Sequence, residues 1–212
     1  MTGKSRFLVD GIDTAATTLV LAPGAGAPMD SPFMQAIAQG VAACGVRVIR
    51  FEFPYMRRWR DTGKKTAPDS EQVLKKAWLD AIDELGGGSR LFIGGKSLGG
   101  RIASMIADEA EVHGLVCLGY PFHPPGNLAR TRTGHLENLR TPTLILQGTR
   151  DSFGAPKEVS GYRLSRTIRI EWIEDGDHSF KPRARSGRTE DDNLRAAIAL
   201  VAAFIGRKHA GR

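Results

Sequence analysis

Short apolar runs recur along the 212-residue chain. Each is stopped by glycine, proline or small polar residues and is followed by apolar positions at helical spacing. Thr17 to Ala22 reads as a strand that ends in Pro23-Gly24-Ala25-Gly26. A helix is expected over 31–44, with Phe33, Ile37 and Val41 on one face beside Met34 and Ala38. Val46 to Phe53 is the next strand, and the polar, basic segment 54–68 reads as irregular. Asp69 or Ser70 caps a helix whose stripe is Val73, Leu74, Ala77, Trp78, Ala81, Ile82 and Leu85, and Gly86-Gly87-Gly88 ends it. Leu91, Phe92 and Ile93 form a strand, and Ile102, Met105 and Ile106 mark the helix after it. His113–Leu118 and Thr143–Gln147 are buried strands separated by a long loop over 120–141. A helix near 156–165, a strand over 167–173 and a final helix over 190–206 complete the chain, and Arg6 to Asp10 adds one short strand at its start.

Strand and helix signals therefore alternate. That is the mark of a mostly parallel central sheet with helices on both faces. The expected architecture is one α/β domain over 1–212, with no insertion large enough for a lid domain.

Composition narrows the class. No apolar run reaches membrane-span length. The N-terminus lacks a long apolar segment and a small-residue cleavage site, so a cytoplasmic protein is expected. Cys44 and Cys117 are the two cysteines; both are expected to be buried, reduced thiols. Cysteines and histidines show no metal-ligand spacing, and no metal or organic cofactor is implied. The net charge of +7 admits a nucleic-acid partner. No helix-turn-helix, stacking platform or RNA-module motif supports one, so none is expected.

The chemistry concentrates at Gly95-Lys96-Ser97-Leu98-Gly99. This is the G-x-S-x-G pattern of a nucleophile elbow, set between a strand and a helix as the motif demands. The serine sits at the apex of a sharp turn, and the glycines two positions away come too close to other backbone to carry a Cβ. Lys96-Ser97 also invites a phosphate-loop reading. That motif needs a glycine at 90, where this chain has Arg90, and the strand leaves no room for the loop.

A serine hydroxyl needs a base, and the base needs an orienting acid. Asp151 follows the strand 143–147, and His178 follows the strand 167–173. A parallel sheet brings these strand ends to one edge. The other histidines precede Asp151 or lie in the tail, and Glu174, Asp175 and Asp177 are too near His178 in sequence to serve as its partner. The N–H of Leu98 and that of Ala25, or of Gly26, are the expected oxyanion donors.

With these residues in view, the chain resembles a small member of the α/β-hydrolase superfamily over essentially its whole length. It is similar to the compact, lid-free branch near the dienelactone hydrolases. Within that branch it looks like a predicted-hydrolase family whose eukaryotic relatives include testis-expressed and chromatin-complex proteins. The matching stretches are residues 21–30, 50–55, 94–100, 119–126, 147–151 and 176–180. The resemblance implies a Ser97, Asp151, His178 triad. That family usually has histidine before the glycine of the first loop, where this chain has Pro23. The donor N–H groups lie downstream of it, so the oxyanion site is expected to survive.

Tyr55, Met56, Tyr120, Phe122, Phe153 and Phe180 follow strand ends or flank triad members, and are candidates to line an apolar pocket. Basic residues follow three strands: Arg57, Arg58, Arg60, Lys64 and Lys65; Arg130, Arg132 and Arg140; Lys181, Arg183, Arg185 and Arg188. They read either as solvated loops or as a rim attracting an anionic substrate. The expected function is a serine hydrolase acting on a small-molecule ester or thioester through an acyl-enzyme. A small serine peptidase or amidase, or a non-catalytic interaction protein on the same fold, is the alternative. The substrate and the oligomeric state are open at this level.

Overall fold

A computed structural model describes residues 6–209. The N-terminal residues 1–5, part of the segment read for a leader, lie outside the described residues. Seven strands form one sheet in the order β1-β3-β2-β4-β5-β6-β7. These are β1 (Phe7–Asp10), β2 (Thr18–Ala22), β3 (Arg47–Phe51), β4 (Leu91–Lys96), β5 (Gly114–Leu118), β6 (Thr143–Gly148) and β7 (Ile168–Ile173). All neighbours pair in parallel except β1, which runs antiparallel to β3 at the edge.

The sheet is buried on both faces, so its strands alternate between two cores rather than between core and water. Val20, Ile49, Phe51, Ile93, Leu115, Cys117 and Ile145 pack with α3 (Glu71–Glu84) and α4 (Leu98–Ile106). Leu19, Leu21, Val48, Phe92, Val116 and Leu144 pack with α1 (Pro32–Ala43) and α6 (Glu190–His209). No described helix is long and apolar enough to cross a membrane.

Two elements and one cysteine depart from the sequence reading. The segment 54–68 holds a helix, α2 (Pro54–Thr62). Pro54 starts it and Gly63, in the left-handed conformation, ends it by donating its N–H to the Trp59 carbonyl. Only Tyr55 and Met56 face inward, so the apolar stripe is too short to register as a helix in the sequence. The helix expected over 156–165 is a single turn, α5 (Pro156–Val159). Cys44 is exposed, because it caps α1 beyond the buried face of Met34, Ile37, Ala38 and Val41; Cys117 is buried as expected.

Candidate active site

Ser97 stands between the last residue of β4 and the first of α4 with φ 49° and ψ −112°. A non-glycine residue there is strained, and the neighbouring packing holds it. A Cβ on Gly95 would lie 2.0 Å from the Ala22 carbonyl oxygen, and one on Gly99 would lie 2.2 Å from the same atom. The end of β2 therefore presses on the elbow from both sides, which is why both positions are glycine. Leu98 opens α4, so its N–H has no partner within the helix and carries the positive end of the helix dipole.

The strand order places the ends of β4, β6 and β7 on one edge of the sheet. Ser97 Oγ lies 2.9 Å from His178 Nε2, and His178 Nδ1 lies 2.8 Å from Asp151 Oδ2. Asp151 is 1% exposed. Its Oδ1 accepts the Phe153 N–H at 2.9 Å and its Oδ2 also accepts the Gln147 side-chain amide at 2.9 Å. Three donors thus offset the cost of burying the carboxylate. Gln147, itself buried, also bridges the N–H and carbonyl of Tyr120. Its supporting role escaped the sequence reading, although it opens the Gln-Gly-Thr-Arg-Asp stretch.

The neighbouring acids have other partners. Asp175 binds Arg183, and Asp177 accepts the N–H groups of Ser179 and Lys181, closing its own loop. The other described histidines are elsewhere. His135 meets Ser104, His123 faces Glu158 and His113 packs on Phe92. The side chain of His209 lies outside the described residues.

Lys96, which precedes Ser97, is buried beside this chain of bonds. Its ammonium donates to the backbone carbonyl of His178 and lies 5.6 Å from the centre of the Phe33 ring. Burial pushes its pKa down to about 8, against the opposing charges of Asp151 and Asp177.

The cleft beside Ser97 and His178 measures about 300 Å³. Gly24, Ala25, Gly26 and Ala27 form one wall, and Phe33, Met34 and Phe153 supply apolar surface. The loop 23–27 sits there because β2 is the neighbour of β4; a Cβ on Gly24 would come 3.5 Å from that of Ser97. Phe153 is the one pocket candidate that lines the cleft, with its ring centre 4.4 Å from that of His178. Tyr55, Met56, Tyr120, Phe122 and Phe180 are core residues instead, each at most 1% exposed. Their rings have apolar partners within the fold. Tyr120 packs on Phe122, Phe180 on Phe33, and Tyr55 on Phe53.

None of the twelve basic loop residues lines the cleft. Arg58 binds Asp69, Arg60 binds Asp30 and Glu52, Arg140 contacts Asp108, and Arg183 binds Asp175. Lys96 is the charged residue besides the histidine in the lining, and its ammonium is engaged by the His178 carbonyl.

Solved structures share the fold. Dienelactone hydrolase from Anabaena variabilis superposes with a TM-score of 0.70 at 19% identity, covering 95% of this chain and 90% of that one. Est1E from Butyrivibrio proteoclasticus, in a structure with ferulic acid bound, gives 0.71 at 13% identity over 96% and 95%. A serine hydrolase without a lid from Xanthomonas campestris gives 0.61 at 19% identity over 95% and 88%. A family model of the alpha/beta hydrolase domain matches residues 15–206. Spanning nearly the whole chain, that match agrees with the parallel sheet and the strand-to-helix serine: the chain belongs to the alpha/beta hydrolase domain family.

Proposed function

We propose that this protein hydrolyses small, uncharged carboxylic esters or thioesters through a Ser97–His178–Asp151 triad. The observation that carries the reading is the pair of contacts at 2.9 and 2.8 Å linking serine, histidine and a buried carboxylate. Ser97 Oγ attacks the substrate carbonyl while His178 Nε2 takes its proton. Asp151 accepts the Nδ1–H bond, which fixes the tautomer that leaves Nε2 free as base. The oxyanion of the tetrahedral intermediate is held by the Leu98 N–H and by N–H groups of the loop at Ala25 and Gly26. Collapse expels the alcohol or thiol, protonated by His178. Water, deprotonated by the same imidazole, then releases the acid and regenerates Ser97.

The cleft supports the substrate class. Its walls are Phe33, Met34, Phe153 and small loop residues, and none of the basic loop residues lines it. Such a space favours compact apolar groups over anionic ones. The ferulic acid bound to Est1E is in keeping with a small carboxylic ester. Placement near the small lid-free predicted hydrolases rests on the matching stretches of sequence.

The test is labelling and turnover. Wild type is expected to react with a fluorophosphonate probe and to cleave p-nitrophenyl acetate, and Ser97→Ala to do neither. Wild type that is neither labelled nor active sinks the proposal.

A further inference from the structure

The loop 24–27 would supply oxyanion donors, yet its residues are glycine and alanine and lie largely at the surface. A donor that moves cannot stabilise charge as a fixed one does. Something must hold this turn.

The downstream end is held by charged groups. Glu52, 2% exposed, accepts the Met29 N–H at 2.9 Å. Arg50 donates to the Met29 carbonyl at 2.8 Å, and Arg60 bridges Glu52 and Asp30. The turn itself receives one side-chain bond among the described residues: the Tyr55 hydroxyl donates to the Ala25 carbonyl at 3.2 Å. Tyr55 is 1% exposed, and its own N–H is fixed at 2.9 Å on Asp69, at the start of α2.

This bond acts on the donors directly. The Ala25 carbonyl and the Gly26 N–H belong to one planar trans peptide and point in opposite directions. A hydroxyl that grips the carbonyl therefore orients the Gly26 N–H away from itself. It also limits rotation about the bonds of Ala25, and so steadies the Ala25 N–H. The bond polarises the peptide as well, which strengthens its N–H as a donor. The phenol stays protonated, since burial and the nearby Asp69 and Glu52 carboxylates raise its pKa.

We propose that Tyr55 is the positioning residue of the oxyanion loop, its hydroxyl setting the Ala25–Gly26 peptide for the transition state. The inference rests on the hydrolase reading above. It gives α2 a role: the helix presents the tyrosine that fixes the loop across the fold.

Tyr55→Phe removes one oxygen and keeps the ring. The expected result is a kcat about 5- to 30-fold lower, part of the hundredfold or more lost when an oxyanion donor is deleted outright. KM for p-nitrophenyl acetate should hold within about twofold, because the ground-state ester does not need the donor. Binding of an aryl trifluoromethyl ketone, which adds to Ser97 Oγ and places an alkoxide in the same site, should weaken by the same factor as kcat. General loosening of the fold would not produce that parallel. Asp69→Asn, which weakens the anchor of α2, should show the same pattern at smaller size, and it serves if Tyr55→Phe does not fold. An unchanged kcat in the variant, beside an active wild type, overturns the inference and leaves the hydrolase reading standing. A fall in kcat with undiminished ketone binding also overturns it. An inactive, unlabelled wild type is instead the failure of the hydrolase reading.

Discussion

Replacing Lys96 by methionine separates the cost of burying its ammonium from its use. The ammonium sits beside the Ser97–His178–Asp151 chain of hydrogen bonds, 8% exposed, with its pKa lowered from 10.5 to about 8 by burial. That difference corresponds to about 3 kcal/mol by which the folded state disfavours the charge relative to the unfolded chain. The sign follows from proton binding. Between pH 8 and 10.5 the unfolded chain holds the proton more tightly, so this group's destabilising effect is full below about 8 and fades as pH rises to 10.5. The bond to the His178 carbonyl, worth about 1.5–3 kcal/mol for a charged donor, opposes any gain from removing the charge. Lys96→Met should therefore be about as stable as wild type at pH 7, or slightly more so. Its activity should fall, because the histidine loop loses its tether. Urea unfolding of both proteins from pH 7 to 10.5 measures the effect. The difference in unfolding free energy should shift by about 3 kcal/mol in favour of wild type across that range. Taking the difference cancels the buried Cys117 thiol and the tyrosines, whose raised pKa values act in the opposite sense at high pH. A difference that stays flat with pH would refute the reasoning and show that the ammonium is not held against its charge.

Asp151→Asn should lower kcat by about a thousandfold to ten-thousandfold, because an amide no longer selects the histidine tautomer; stopped-flow or steady-state hydrolysis of an activated ester reads it. Loss of less than about tenfold would exclude Asp151 as the orienting acid. Gly99→Ala should unfold at markedly lower temperature, since its Cβ would meet the Ala22 carbonyl oxygen at 2.2 Å. Gly26→Ala, whose Cβ meets nothing within 4 Å, should melt within a few degrees of wild type in the same calorimetric scan.

Local chemistry reached the sequence in two forms. The alternation of apolar runs and helical stripes announced a parallel sheet, because strand and helix periods are short and each core face leaves its residues at fixed intervals. The elbow was equally open to reading, because its pattern of a serine between glycines after a strand spans five residues, although the atom that forbids a Cβ at Gly95 and Gly99 is the distant Ala22 carbonyl oxygen. Asp151 and His178 could be placed after their strands from chain order alone. The basic loops could not be resolved this way, since Arg58, Arg60, Arg140 and Arg183 meet acids 8 to 32 residues away.

What the chain determined by itself was the order of its elements and the residue types at their ends, which depend on neighbours a turn or a strand apart. Only the tertiary structure decided which aromatic residues line the cleft. Phe153 reaches it, while Tyr55, Tyr120, Phe122 and Phe180 are buried in the core. The same holds for Tyr55 as a support of residue 25 and for Lys96 as a tether of residue 178. Burial and hydrogen bonding between such pairs are properties of the packed fold, and a lone residue type in sequence carries no record of its partner.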